Sequence, residues 1–322
     1  MVTLHKTKSA KTASALTQKT AQSTYRTPLL LRFVRRNGAG LLFLLPAFLI
    51  FGFFVWYPII IEFILSFQKN AFYGSPTFVG WQNYQFVLQD PHFGIAWRNS
   101  ALYALYGLLI GYLPPIVIAL AINEIRIGKG YFRLAFYLPV IIPPLVTAFL
   151  WRYLYTHDGG LVNSLLAIIH IGPQPWLQSP NTALPSLVVI TTWANMGGTV
   201  LIYLAALQGI PAHLYEAAEI DGASIWRRIW HITLPQMRGI LLILLLIQLI
   251  ATVQIFTEPF TLTSGGPDLS TLTVMLQIYD YAFNSGDFGA SSALSVILFV
   301  VLVVLSLTYF GITRRFNVGA GE

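Results

Sequence analysis

Cysteine is absent from the chain, so neither a disulfide framework nor a thiolate metal site can form. Charge is scarce as well. Asp, Glu, Lys and Arg make up 10% of the 322 residues, where a soluble domain carries about 25%. That is too little for a water-exposed surface, and 56% hydrophobic residues place the chain among integral membrane proteins. No water-soluble domain of useful size remains once the apolar runs are set aside.

Catalytic machinery is missing too. The histidines (His5, His92, His157, His170, His213 and His231) fall in different segments without metal-ligand spacing, and no Walker-type phosphate loop occurs. We therefore expect no metal, no cofactor and no catalytic set. Any energy source is another polypeptide or an ion gradient. The net charge of +7 invites nucleic acid as a partner, but the basic residues are placed as a membrane-topology signal, so none is expected.

Residues 1–37 hold Lys6, Lys8, Lys11, Lys19, Arg26, Arg32, Arg35 and Arg36, and no Asp or Glu. Rich in Ser, Thr and Ala, the segment has little to bury and is expected to be a disordered cytosolic tail. The apolar run after it is too long for the core of a cleavable signal. A transmembrane body is expected over 38–315, with spans near 39–67, 100–123, 134–156, 184–208, 237–260 and 288–311, and a short tail over 316–322. Pro46, Pro58, Pro114 and Pro115 predict kinks, and Pro143 with Pro144 a bend or break in the third span. With the N-terminus inside, sixteen of the nineteen Lys and Arg fall on the inner side, among them Arg126, Lys129, Arg133, Arg227, Arg228, Arg238, Arg314 and Arg315. Both termini are thus expected to face the cytoplasm, and so is the 209–236 loop.

Ionisable residues within the spans are few. Glu62 and Glu258 lie near span ends: Glu62 reads as an interfacial carboxylate, and for Glu258 that reading and a functional one stand level. Polar uncharged residues form faces. Gln248, Thr252 and Ile255 share one side of the fifth span, and Thr192, Asn195 and Thr199 one side of the fourth. Hydrogen bonding between helices explains such faces most simply. With Trp193 or Phe256 nearby they would also suit a hydroxyl-bearing ligand.

The most ordered connection runs from Glu216 to Pro235. Pro211 is suited to the first position of a short helix, Gly222 to a left-handed C-terminal residue, Ser224 to capping a second helix and Pro235 to ending it. Ala217 and Ala218 are small enough for close docking, and Glu216 can meet a basic partner. Ile225, Trp226, Ile229 and Trp230 form an apolar stripe beside Arg227 and Arg228, as in a helix lying among headgroups. That leaves the segment Glu216–Gly222 unexplained.

Glu216-Ala217-Ala218, then Asp221-Gly222-Ala223, then Ile232-Thr233-Leu234-Pro235 resemble the cytoplasmic signature of membrane subunits of binding-protein-dependent ATP-binding-cassette importers. Phe78 to Tyr84, Phe136 to Pro139, Leu150 to Arg152, Gly209 to Pro211 and Thr263 to Pro267 resemble sugar-importer permeases of the maltose and glycerol-phosphate branch. The resemblance covers about residues 40–315. It implies a six-helix type I importer permease fold in a bacterial or archaeal cytoplasmic membrane and a di- or oligosaccharide or polyol as cargo. Its implied partners are a second permease (usually a heterodimer), two ATPase subunits that bind the ATP, and an extracytoplasmic solute-binding protein. Glu216, Ala217, Ala218, Asp221, Gly222, Ile232, Leu234 and Pro235 would couple to the ATPase. Asn195, Gly198, Gln248, Thr252 and Ile255 match sugar contacts, and Thr263 to Pro267 with Ser270 and Thr271 would face the binding protein. The alternative is an ion-coupled six-helix carrier, which the ordered acidic loop and the scarcity of buried charge oppose.

Overall fold

The computed structural model describes residues 40, 42–69, 75–125 and 127–317. The expected basic tail 1–37, Arg126 and residues 318–322 lie outside the described residues, as do the side chains of Arg314 and Arg315. Two units are distinguished, 1–61 and 62–322. Helix α1 (Leu42–Leu65) has 24 residues, about 36 Å at 1.5 Å per residue, enough to cross a bilayer.

In the second unit a two-stranded antiparallel hairpin, β1 (Gln68–Lys69) with β2 (Thr77–Phe78), leads to α2 (Gln82–Gln89) and α3 (Pro91–Glu124). Next come α4 (Lys129–Ile141), α5 (Pro144–Leu154), α6 (Leu161–Ile168) and α7 (Ala183–Gln208). The chain closes with α8 (Ala212–Ile220), α9 (Ile225–Val253), α10 (Val274–Tyr279) and α11 (Phe288–Asn317). Among the described residues five helices are long and apolar enough to cross a membrane, and the pair α4 and α5, bent by 100°, makes a sixth span if it counts as one.

Several boundaries differ from expectation, each for a local reason. The second span begins at Pro91 rather than near 100. Asp90 caps it, accepting from the His92 amide at 2.7 Å, and Pro91 takes the first turn, where its missing donor costs nothing. The third span begins at Lys129 rather than near 134, and it breaks at Pro143 as expected. Ile142, held extended by the following proline (ψ 128°), and Pro143 (ψ 139°) break the helix. The fifth helix ends at Val253, not near 260, so Ile255 and Glu258 lie beyond it, and Glu258 precedes a separate helical turn at Pro259–Thr263. Residues 316 and 317 belong to α11 rather than to a tail.

Three of the proline sites within the spans share one device. A π-helical turn stands directly before Pro58 (Gly52–Trp56), before Pro114 and Pro115 (Gly107–Tyr112) and before Pro235 (Ile229–Thr233). The extra residue widens the turn where a proline ring would collide with the carbonyl four residues back. For that reason Pro235 does not end a helix: α9 runs through it, and the Leu234 amide bonds to Ile229 O instead.

Helix α7 is the hub, packing against α3, α4, α5 and α9. Toward its C-terminal end Val200, Tyr203, Leu204 and Leu207 pack with Ala119, Ile122 and Met237. Toward its start Leu184, Leu187 and Val188 pack with Tyr103, Tyr155 and Leu177. A third core joins Val87, Ala96, Val274, Leu276 and Leu294 from α2, α3, α10 and α11. Outward faces carry exposed Leu109, Val117, Phe149 and Leu307, a surface suited to lipid rather than water.

Candidate functional site

A cavity of about 210 Å³ lies between α3, α7 and α9. From α7 it takes Thr191, Thr192, Asn195 and Thr199, and from α9 Gln248 and Thr252, with Ile255 just beyond. Four of the five residues expected in a substrate path, Asn195, Gln248, Thr252 and Ile255, are therefore brought together. Gly198 is not in the lining. Trp193 turns away to pack edge-on against Trp151 at 5.6 Å, and Phe256 stacks on Phe260 at 5.0 Å, so neither supplies the expected aromatic wall. Tyr103 is the aromatic residue of the lining, and Pro115, Val188 and Met196 supply apolar surface beside it.

The wall contributed by α3 was not anticipated. Gly107 and Gly111, in its π-turn, face the polar residues of the other two helices. A Cβ on Gly107 would meet Thr252 Cγ2 at 2.7 Å, and one on Gly111 would meet Thr192 Oγ1 at 2.9 Å. Two glycines four residues apart in an apolar span are a signal for close helix approach that is legible in the sequence.

Most of the cavity's polar groups retain hydrogen-bonding capacity. Thr252 Oγ1 donates to its own helix, at 2.9 Å from Gln248 O and Leu249 O, and Asn195 Nδ2 donates to Thr191 O at 2.9 Å. Gln248 Nε2 reaches only 3.5 Å from Gly107 O, a distance at which little is gained. Tyr103, 1% exposed, is joined to Thr191 Oγ1 at 2.5 Å and donates to Leu187 O at 3.4 Å. No lining residue is ionisable at neutral pH. The cavity is thus neutral, and it can offer donors and acceptors to a polyhydroxylated molecule but no counter-charge to an ion.

At the far end of α7, α8 and the start of α9 form a compact pair. Gly222 has φ +69°, its amide bonds to Glu219 O at 3.0 Å, and the Ala223 amide bonds to Ala218 O at 2.9 Å. These two bonds make a Schellman motif, whose left-handed position glycine fills without a Cβ penalty. Pro211 sits one position before the first helical residue rather than at it, and Ser224 Oγ accepts from the Arg227 amide at 3.4 Å.

Two contacts lock this pair internally: Tyr215 Oη to Thr233 Oγ1 at 2.9 Å, and the Arg228 guanidinium to the Glu219 carboxylate. These two pairings were missed in sequence because the partners are nine and eighteen residues apart. Glu216 is exposed and enters no ion pair among the described residues. Ala218, Asp221 and Ile232 line a surface cavity of about 510 Å³ with Arg227 and Arg228. Ala217 is exposed, Leu234 packs into the core beside Met237, and Pro235 is exposed. Trp226 and Trp230 of the apolar stripe are also exposed.

On the opposite side, Thr271 Oγ1 is fully buried, shared with Thr263 Oγ1 at 2.7 Å and Gly266 O at 2.8 Å. It braces the 263–271 loop and is not available to a partner.

Residues 115–318 match the family described as binding-protein-dependent transport system inner membrane component. The chain is 33% identical to a probable ABC transporter permease protein, YurN, of Bacillus subtilis, over 83% of this chain and 92% of that one. It is 31% identical to the trehalose/maltose transport system permease protein MalF of Thermococcus litoralis, over 87% and 95%. Among solved structures it resembles a bacterial ABC transporter involved in import of the acidic polysaccharide alginate, with 26% identity, a TM-score of 0.79, and 89% and 98% of the two chains covered. That transporter is also known in complex with an alginate pentasaccharide-bound periplasmic protein.

Proposed function

The chain belongs to the binding-protein-dependent transport system inner membrane components, and from that membership we propose that it forms half of the path by which an ATP-binding-cassette importer brings a saccharide or related polyol across the cytoplasmic membrane of a bacterium or archaeon. The observation that carries the sugar reading is the neutral, amide- and hydroxyl-lined cavity between α3, α7 and α9. A few convergent polar groups on an otherwise apolar wall are the usual form of a small-molecule site. Asn195, Gln248, Thr252 and Ile255 contact the cargo in this reading, together with Tyr103 and Thr191.

The second permease is a different chain, so that the two form a heterodimer. Two ATPase subunits bind the ATP, and this chain carries no cofactor. An extracytoplasmic solute-binding protein delivers the sugar. Both termini lie in the cytoplasm, and α8 with the start of α9 sits in a cleft of the ATPase. Glu216, Ala217, Ala218, Asp221 and Gly222 face that cleft, while Ile232, Leu234 and Pro235 carry the push into α9. A loop locked by Tyr215–Thr233 and Glu219–Arg228 is stiff enough to move as a body, as alternating access by rigid rocking requires.

Reconstitution with both ATPase subunits, the second permease and the binding protein tests this. Radiolabelled saccharide should accumulate only with ATP. Gradient-driven uptake by this polypeptide alone, in vesicles lacking ATPase, would establish an ion-coupled carrier instead. A lining with no residue that ionises at neutral pH opposes that outcome.

A further inference from the structure

A second cavity, of about 290 Å³, lies nearer the N-terminal ends of α3 and α7. Its polar lining is Arg98 and Asn99 from α3, Asn181 from the turn just before α7, and Asp268 and Ser270 from the loop before α10, with the ring of Tyr106 alongside. On α3 the outer cavity is lined from Arg98 to Tyr106 and the central one from Tyr103 to Pro115. On α7 the outer lining ends at Pro185 and the central one begins at Val188. The two cavities therefore adjoin end to end along both helices. Between them stands Tyr103, one turn from Asn99 and one from Gly107, bonded across to Thr191 Oγ1 and Leu187 O.

The cavity's groups are positioned but not consumed. Arg98 and Asp268 enter no ion pair among the described residues. The Ser270 hydroxyl is buried without a hydrogen-bond partner among the described residues, an unfavourable state unless something fills it. The loop that carries Asp268 and Ser270 holds three non-glycine residues at positive φ: Ser264 at 48°, Asp268 at 50° and Leu269 at 57°. Such residues persist only where the surroundings hold them. Here Asn99 Nδ2 does so, donating to Leu269 O at 2.7 Å and Leu272 O at 3.0 Å. One cation and one anion leave the lining with no net charge.

We propose that this outer cavity is a saccharide subsite in series with the central one, which holds a neutral sugar of more than one ring before it passes the Tyr103–Thr191 bar. Asp268 accepts from adjacent sugar hydroxyls, Arg98 and Asn181 donate to ring and glycosidic oxygens, Ser270 completes its missing bond, and Tyr106 offers an apolar face to sugar C–H groups. The proposal rests on the importer reading above, which supplies both the saccharide and the direction of travel.

The absence of native cysteine allows a direct test on the complete reconstituted transporter. Asn181→Cys reports the outer cavity and Thr199→Cys the central one, each through its rate of reaction with a small neutral thiol reagent. The probes are maltose, maltotriose, trehalose, lactose and an alginate oligosaccharide. A neutral sugar should slow labelling at Asn181→Cys at least fivefold. Adding Asp268→Asn should abolish that protection while protection at Thr199→Cys persists, which shows that the variant still folds and binds. Protection at Thr199→Cys without any at Asn181→Cys would overturn the outer subsite and leave the importer reading intact. Equal protection by sugar-free binding protein would assign the cavity to a protein side chain and overturn it as well. Protection by the acidic oligosaccharide alone would overturn the neutral class. If no sugar protected either position, both readings would fall.

Discussion

The phenol of Tyr281 donates a hydrogen bond to the Asp90 carboxylate, joining residues 191 positions apart in the chain. Asp90 also caps α3 through the His92 amide at 2.7 Å, and its Oδ1 lies 3.1 Å from His92 Nδ1. Gln277 Nε2 donates in turn to Tyr281 Oη at 3.0 Å. A single carboxylate thus starts a span and ties it to the segment after α10. Burial raises its pKa, but the Tyr281 and His92 contacts outweigh that, and Asp90 titrates below its ordinary value.

Removing the phenol oxygen in Tyr281→Phe should destabilise the protein by about 1.5–3 kcal/mol, the range for a hydrogen bond to a charged group. A depressed folded pKa means that the contribution is complete above the unfolded value of about 3.9 and disappears as pH falls through the folded value. Thermal unfolding of the purified protein should therefore separate Tyr281→Phe from wild type at neutral pH, and the two curves should converge on acidification below that point. A separation that stayed constant across the window would show that the bond does not depend on the ionised carboxylate.

Local chemistry was legible in the sequence where a residue's own backbone decides the outcome. Gly222 reads as a left-handed C-terminal residue because the Schellman geometry needs one there, and Pro143 with Pro144 reads as a break for the same kind of reason. Pro235 misled because a π-turn, which nothing in its neighbours announces, absorbs the ring. The Asp90–Pro91 cap was available to inspection and moves the second span's start by nine residues, but it lies outside the apolar run that drew attention. The polar faces of α7 and α9 were visible by periodicity. Their convergence on Gly107 and Gly111 was not, since three helices far apart in sequence must meet before the cavity exists.

Glu216 and Glu219 make a matched pair for testing the coupling loop. Glu219 is held by Arg228 within the loop, whereas Glu216 is exposed and enters no ion pair among the described residues. Glu216→Lys should leave thermal stability within about 0.5 kcal/mol but eliminate saccharide uptake and stimulation of the partner's ATP hydrolysis. Glu219→Gln removes a largely exposed ion pair worth less than about 1 kcal/mol and should keep most of the transport. If hydrolysis by the assembled complex remained fully stimulated in Glu216→Lys, the loop would not be the docking element.

Gly111 tests the geometry of the cavity. A methyl group there meets Thr192 Oγ1 at 2.9 Å and Gln248 Nε2 at 3.1 Å, so Gly111→Ala must push α3 away from α7 and α9 or displace both polar groups. Overpacking of this kind costs about 1–3 kcal/mol. Uptake should fall at least tenfold while the variant still inserts and assembles. Gly239→Ala, on α9 where an added Cβ meets nothing within 4 Å, is the matched control and should transport normally. Equal behaviour of the two variants would dissociate the cavity from the path.

Gln248 carries the sharpest prediction for recognition. Its amide lines the cavity and, among the described residues, is engaged only by a long contact to Gly107 O, so truncation removes ligand-directed donors and acceptors while sacrificing little internal bonding. One lost hydrogen bond is worth about 0.5–1.5 kcal/mol, and 1.4 kcal/mol is about tenfold in affinity. Gln248→Ala should therefore raise the KM for saccharide uptake roughly three- to tenfold. Gln254→Ala, at the exposed C-terminal end of α9 and outside the lining, should leave it within about twofold, because a surface glutamine away from the cavity has no ligand bond to lose. Uptake kinetics on the reconstituted complex decide between them: a KM that moves equally in both variants points to a general effect on α9, and one that moves only in Gln248→Ala places the sugar between α3, α7 and α9.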